Sequence, residues 1–110
     1  MIKRMSLVWK RPELNEVAFR QLWLGEHIVY AKQLAGVREY VIDFVTEGSP
    51  DGPSGIATLR FDSRAALDAA FADPALSPHL ARTREQFARA TAVMIVDEQI
   101  IVPRLLAGER

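Results

Sequence analysis

The order in which the spacing of apolar residues changes along this chain limits its fold more than any other feature. Residues 2–10 alternate between apolar and other side chains, which is typical of a strand. Residues 16–33 carry apolar side chains at helical spacing, and residues 37–46 are rich in β-branched and aromatic side chains. The first part of the chain therefore predicts a strand, a long helix capped by Asn15, and a second strand.

Turn-forming residues divide the second part of the chain. Residues 47–55 contain three glycines and two prolines, which predicts a long hairpin loop in which the glycines serve the turn. Ser63 and Ser77 precede helical segments and are predicted to cap them. The last strand is predicted to bend at its acidic pair, Asp97 and Glu98. The predicted elements are a strand over 56–61, helices over 64–71 and 78–89, and a strand over 91–102.

The resulting order, βαββαβ, predicts an α+β protein with the ferredoxin-like fold, in which helices cover one face of a four-stranded antiparallel sheet. Adjacent residues such as Leu7 and Val8 point to opposite faces of a strand, so both faces of the sheet carry apolar side chains. Large exposed apolar patches are rare on monomers. A homodimer that stacks two sheets face to face is therefore predicted, the alternative being a monomer with a mixed exposed face.

The length and composition limit the domain organisation and the chemistry. A chain of 110 residues has room for one domain, which we place at residues 1–103. Residues 104–110 are predicted to form a tail that either frays or docks onto an oligomer through Leu105 and Leu106. The sequence has no cysteine, which excludes disulfides, thiolate nucleophiles and Cys-ligated metal sites.

Charge and motifs limit the partners. Lys and Arg number 14 and Asp and Glu number 14, so the chain lacks the basic excess typical of nucleic-acid binding. The first residues do not form a signal peptide, and no apolar run reaches the roughly 18 residues that span a bilayer. We therefore expect a cytoplasmic protein with no membrane or nucleic-acid partner. Glycine-rich phosphate-binding motifs are absent, and the two histidines are not at ligand spacing, so no cofactor and no metal are expected.

The predicted first helix places a titratable side chain at the edge of its apolar face. Phe19 and Trp23 lie on that face, and His27 follows one turn after Trp23. A neutral imidazole donates from one nitrogen and accepts on the other, so it can move a proton near pH 7. His27 is therefore a candidate general acid and base. The alternative is a core histidine satisfied by a backbone carbonyl, and haem ligation by His27 has nothing specific in its favour.

Tyr40 is the second candidate for chemistry. It belongs to the strand that follows the helix, and an antiparallel return would place it beneath the helix with Ile42 and Phe44 on the same face. A phenol beside an imidazole can donate a hydrogen bond to a carbonyl or enolate oxygen. The alternative is a packing tyrosine whose hydroxyl reaches solvent.

Further side chains are candidates for lining a substrate cavity, although aromatic residues at helical spacing more often belong to a core. Glu26 falls within the apolar stripe, where it would act as a second acid/base group, pair with Arg20 or Arg60, or bend outward. The candidate substrate-binding residues are Trp9, Trp23, Glu26, Tyr30, Ile42, Phe44 and Arg60.

The most distinctive local pattern is Phe-Arg-x-x-Trp-x-x-x-His, formed by Phe19, Arg20, Trp23 and His27. Residues 34–41, with the sequence LAGVREYV, and residues 55–63, with GIATLRFDS, accompany it. On these segments the chain resembles the EthD family of dimeric α+β-barrel proteins over nearly its whole length. One departure is that residues 28–30 contain no proline, where family members often have one soon after the histidine.

The resemblance implies a homodimeric α+β barrel with a ligand cavity in each subunit, between the first helix and the sheet. It implies an enzyme of the EthD type that acts on a hydrophobic or aromatic carbonyl compound, lactone or polyketide-like. The implied chemistry centres on His27 with Tyr40, as an isomerase, a cyclase or a cofactor-free oxidoreductase in the degradation of small organic compounds. Two alternatives stay open, a non-catalytic homodimer that binds a hydrophobic metabolite and a structural dimer with a filled core.

Overall fold

The computed structural model describes residues 1–106 and Gly108, so positions 107, 109 and 110 of the predicted tail lie outside the described residues. The predicted order βαββαβ is confirmed. The elements are β1 (Ile2–Lys10), α1 (Glu16–Leu22), a π-helical turn (Trp23–His27), α2 (Ile28–Ala31), β2 (Glu39–Phe44), β3 (Gly55–Phe61), α3 (Arg64–Phe71), α4 (Ser77–Glu85) and β4 (Ala88–Asp97). None of the helices in the described part is long and apolar enough to cross a membrane.

The strands form one antiparallel sheet in the order β2-β3-β1-β4, which confirms the α+β, ferredoxin-like prediction. Residues paired across strands share a face. Ser6 pairs with Ala57 on the face that the helices cover, whereas Leu7 pairs with Ile56 on the opposite face, here called the outer face. The apolar side chains of the outer face are Met5, Leu7, Trp9, Val41, Ile56, Ala92, Met94 and Val96. Both faces therefore carry apolar residues, as predicted.

The first helix is interrupted, whereas one helix over residues 16–33 is predicted. Asn15 caps its start as expected, accepting a hydrogen bond from the N–H of Ala18 at 2.8 Å. Gly25 leaves helical geometry with φ −88° and ψ −118°, and the surrounding residues form the π-helical turn. Glycine is a poor helix former, which favours the break at this position. After α2, Gly36 has a φ of 79°, the left-handed conformation typical of a residue beyond a helix end.

The wide turn has a consequence for the buried face. In a regular α-helix a step of four residues overshoots a full turn by about 40°, so side chains spaced by four drift around the axis. Phe19, Trp23, His27 and Ala31 are spaced by four and are nevertheless all buried. The break at Gly25 lies between Trp23 and His27 and interrupts this drift, and His27 stays on the buried face.

The structure corrects the predicted start of α4. Leu76 occupies the N-cap position and Ser77 is the first residue of the helix. The Ser77 hydroxyl donates to the carbonyl of Phe71 at 2.6 Å, so it joins α4 to the end of α3. The helix ends at Glu85 instead of about residue 89, because residues 88–97 form β4.

The ends of three strands also differ from the prediction, since β3 begins at Gly55 instead of residue 56. β2 is Glu39–Phe44 within the predicted 37–46, and β4 is Ala88–Asp97 instead of 91–102. No bend lies inside β4 at Asp97 and Glu98. The strand ends there, and Glu98 pairs with Lys3 at 3.1 Å and with Arg60.

Candidate functional site

His27 is buried at the end of the π-helical turn, with 7% of its surface exposed. Its Nδ1 atom lies 2.6 Å from Oγ1 of Thr83 on α4. The single hydroxyl proton of Thr83 is directed to the backbone carbonyl of His79 at 2.8 Å. The hydrogen-bond network therefore assigns a proton to Nδ1, which donates it to the Thr83 oxygen, and leaves the lone pair on Nε2.

Nε2 of His27 is the nitrogen that remains for chemistry. Nε2 has no hydrogen-bond partner among residues 1–106. Every fully buried side-chain nitrogen or oxygen in that range has a partner, so Nε2 is not fully buried and has access to the adjoining space. Burial, and to a smaller extent the positive charges of Arg84 and Arg4, lower the pKa of His27 to about 4. The imidazole is therefore neutral at pH 7, with Nε2 able to accept a proton.

Tyr40 reaches the same space from the sheet. It pairs with Leu59 across β2 and β3, and the register places it on the helix-covered face with Ile42 and Phe44, as the sequence predicts. Burial raises the pKa of the Tyr40 phenol, and the Trp23 indole opposes that effect only in part. The hydroxyl is therefore protonated at neutral pH and available as a hydrogen-bond donor.

A small cavity separates the helices from the sheet at this point. Its volume is about 30 Å³, room for about one or two water molecules and well below the roughly 300 Å³ of small-molecule pockets. The side chains around it are Arg4, Ser6, Val8, Trp23, His27, Ala31, Leu34, Tyr40, Ala57, Leu59, Phe71, Arg84 and Phe87. Both candidate catalytic residues line this one cavity, which is too small for the expected substrate class as it stands.

An open groove adjoins the cavity at Tyr40. The groove has a volume of about 350 Å³ and lies between the interrupted helix and the edge strand β2. Leu24, Ile28, Lys32, Tyr40 and Ile42 form its walls. Tyr40 lines both spaces, so the surface groove and the small cavity lie side by side at this residue.

Arg4 and Arg84 are cavity residues that sequence reasoning missed. Arg4 lies on the helix-covered face of β1, in phase with the buried Ser6 and Val8. Arg84 lies on α4, four residues after the buried Leu80. A signal for both was present, since each cation occupies a position where the period of its element predicts a core residue.

Two predicted lining residues lie on the outer face of the sheet. Trp9 faces away from the helices, and its indole N–H donates to the carbonyl of Asp51 at 3.0 Å. Arg60 faces the same way and pairs with Glu39 at 2.8 Å and with Glu98. Odd-numbered residues of β1 point outward, and so do their partners in β3. Trp9 is one of these residues and Arg60 pairs with another, Lys3, so neither side chain touches the cavity.

Glu26 and Tyr30 lie on the surface between the interrupted helix and α4. Glu26 is exposed and pairs with Arg82 at 2.9 Å, not with Arg20 or Arg60. That arginine holds the pKa of Glu26 below its usual range. Tyr30 stacks on His79 with ring centroids 4.5 Å apart. These contacts join two helices at the surface. Glu26 therefore does not line the cavity, although its position in the apolar stripe made it a candidate for doing so.

The remaining predicted residues, Trp23, Ile42 and Phe44, lie on the inner side of the sheet. The rings of Trp23 and Phe44 meet edge to face at 5.5 Å. Trp23 also lies against the backbone of Gly55, where an added Cβ would stand 2.5 Å from the indole. Gly55 is the first residue of β3, so its lack of a side chain serves this close approach and not the hairpin turn alone.

Residues 11–91 match the family described as the EthD domain. No protein with a curated description matches the chain. In the described part of the chain no three His, Asp or Glu side chains form a group that would hold a metal ion.

Solved structures share the fold. An EthD family protein from Bacillus halodurans is 19% identical with a TM-score of 0.71, over 90% of this chain and 100% of that one. A dimeric protein of ferredoxin-like fold from Bacteroides fragilis is 10% identical with a TM-score of 0.64, over 88% and 95%. An antibiotic biosynthesis monooxygenase is 20% identical with a TM-score of 0.60, over 94% and 100%. At these identities the likeness to solved structures extends to the fold alone.

Proposed function

The chain belongs to the EthD family, and we propose that it acts on a small hydrophobic or aromatic carbonyl compound, lactone or polyketide-like, by proton transfer at His27. One observation carries this proposal: the buried imidazole of His27 and the half-buried phenol of Tyr40 line one cavity. The likeness to an antibiotic biosynthesis monooxygenase supports small-molecule chemistry on this fold. The reaction class that fits these groups best is isomerisation or cyclisation.

The proposed chemistry needs only the chain's own residues. Nε2 of His27 takes a proton from the carbon next to the carbonyl, and the electron pair of that C–H bond moves to form an enolate. The Tyr40 hydroxyl donates a hydrogen bond to the oxygen where the negative charge develops. The imidazolium then returns the proton to another carbon or to a leaving oxygen, so the step is balanced without a redox partner.

Access to His27 requires the cavity to open, since about 30 Å³ does not hold such a substrate. In this proposal the apolar body of the substrate lies in the groove beside Leu24 and Ile42. The Tyr40 side chain moves far enough to admit the carbonyl end to the cavity, and its hydroxyl stays within hydrogen-bond reach of the carbonyl oxygen. Side-chain rotations of this kind need no change in the backbone of β2.

We further propose that the protein is a homodimer through the outer face. Met94 is 43% exposed there, and Val41 is 38% exposed. The Bacteroides fragilis structure is described as dimeric, which supports this arrangement. The segment after β4 adds apolar surface, with Ile101 86% and Val102 82% exposed. Leu105 and Leu106, which are 59% and 64% exposed, are the tail residues proposed to dock onto the partner copy.

Light scattering tests the dimer. A Met94→Glu variant places a carboxylate within the proposed interface, so it is expected to be monomeric. Val29→Glu is the matched control, because Val29 is 55% exposed on α2, in the helical layer away from the outer face. A parent protein that is monomeric at micromolar concentration would contradict the proposal.

A binding protein without catalysis is the second candidate. The closed cavity and the pKa of about 4 at His27 favour it, because both limit the strength of the base and its access to substrate. In that case the groove and cavity would hold a hydrophobic metabolite, and His27 would only accept a hydrogen bond from it. A structural dimer without a ligand would use neither space.

Exchange of α-protons in D₂O separates these functions. 2-Tetralone is an apolar ketone with acidic α-protons, and ¹H NMR follows their replacement by deuterium. The parent protein is expected to accelerate the exchange, and His27→Asn to lose at least 90% of that acceleration, although its amide can still donate to Thr83. His79→Asn is the control and keeps the full rate. Ketone binding without acceleration would favour the binding protein, and no ketone binding would contradict both.

A further inference from the structure

Two cations face the cavity from opposite layers of the protein. Arg4 comes from the sheet and Arg84 from α4, and both are half-buried. No acidic side chain lines the cavity, and neither arginine forms an ion pair with any residue that the structure describes. Arg4 has a ring contact instead, with its guanidinium carbon 4.2 Å above the Phe71 ring.

This arrangement differs from that of arginines elsewhere in the chain. Arg38 pairs with Asp62 at 2.6 Å, and Arg64 pairs with Asp68 at 2.9 Å, both at the surface. Surface cations need no partner, because water solvates them, whereas a half-buried cation without a counter-charge is unfavourable. Burial and the nearby charge of Arg84 lower the pKa of Arg4 to about 10. The pair therefore costs stability in the protein without a ligand.

The proposed dimer does not supply the missing counter-charge. Arg4 pairs with Leu59 and Ile95 in the sheet register, so it points toward the helices. A partner copy stacked on the outer face is separated from the cavity by the sheet itself. Since no acidic residue in the described part of the chain pairs with either guanidinium group, a ligand that enters the cavity can supply the counter-charge.

We propose that the ligand of this cavity is a carboxylate, a small hydrophobic or aromatic acid whose anionic oxygens are held by Arg4 and Arg84. This inference rests on the proposed function, because it names the class of molecule that the same site takes. A guanidinium presents parallel N–H donors that match the two oxygens of a carboxylate. The carboxylate end lies in the cavity between the two arginines, and the apolar body lies in the groove beyond Tyr40.

Two probes of the same shape test the charge of the ligand. 2-Naphthoate and 2-naphthamide share their ring system and differ in charge, and isothermal titration calorimetry measures both against the full chain. The parent protein is expected to bind the carboxylate at least tenfold more tightly than the amide. Arg84→Met keeps the aliphatic stem and is expected to lose that preference. Arg89→Met is the matched control, because Arg89 is exposed and outside the cavity lining, and it keeps the preference.

The outcomes separate this inference from the proposed function. Equal affinity of the parent protein for both probes would contradict the inference that the ligand is a carboxylate, but it would not contradict the proposed function of the pocket. Binding of neither probe at millimolar concentration would overturn both. If Arg84→Met does not fold, Arg84→Lys retains the charge without the parallel donors and is expected to keep only part of the preference. A preference in Arg84→Lys that equals that of the parent would contradict recognition by the guanidinium.

Discussion

Lowering the pH from 7 to 4 should destabilise the parent protein more than a His27→Asn variant. The pKa of His27 is about 4 in the folded protein and 6.5 in an unfolded chain. The unfolded state therefore binds the proton first as the pH falls, and the stability present above pH 6.5 is lost progressively down to about pH 4.

The magnitude follows from the two pKa values. A difference of about 2.5 between them corresponds to a limit of about 3.4 kcal/mol, at about 1.4 kcal/mol for each pKa unit. At pH 4 the folded histidine is itself half protonated, so the loss between pH 7 and pH 4 is about 3 kcal/mol. Arg84 and Arg4 act in the direction of this shift, because their charges oppose a third cation in the cavity.

Urea unfolding followed by tryptophan fluorescence is a suitable assay, since Trp23 is buried beside His27. The free energy of unfolding is measured at pH 7, 5.5 and 4, at one protein concentration, for the parent and for His27→Asn. Carboxylates titrate in this range in both proteins, so their contribution cancels in the difference between the two curves. Parallel curves would refute the reasoning, because they would show that His27 has the same pKa in both states.

Three further outcomes are expected from thermal and chemical denaturation. Gly55→Ala should destabilise the protein by about 1–3 kcal/mol, because its Cβ would stand 2.5 Å from the buried Trp23 ring; an unchanged melting temperature would contradict that contact. Thr83→Val should cost about 1–3 kcal/mol, since the buried Nδ1–H of His27 loses its acceptor, whereas Thr83→Ser should cost less. Arg84→Met should raise the melting temperature of the ligand-free protein, because an unpaired, half-buried charge is removed; a lower melting temperature would argue that the guanidinium supports the fold.

Periodicity predicted the fold because the face of each element follows from its own sequence. The bounds of β1 and α3 agree with the prediction at both ends, and the register confirms that Tyr40, Ile42 and Phe44 share the inner face. These facts depend on local alternation and on caps, which a single segment contains.

Features that depend on contacts between segments were not predictable in the same way. The hydrogen bond between His27 and Thr83 joins the interrupted helix to α4, so neither segment alone indicates it. The outward position of Glu26 depends on Arg82, which lies on a different helix. A helical projection assumes a regular helix, so it placed Glu26 in the apolar stripe. It also treats one chain segment at a time, so it did not bring Thr83 and Arg84 into the site.

The groups around the cavity form one electrostatic system, and the ligand proposed for it would change the basicity of His27. In the ligand-free protein the charges of Arg4 and Arg84 help to keep the imidazole neutral. A carboxylate between the two arginines would offset those charges and raise the pKa of His27 toward its ordinary value. A base of higher pKa accepts a proton from carbon more readily. With the two arginines present, His27 would be a strong base only when the ligand is bound. This effect on catalysis would explain why the protein retains two cations that lower its stability.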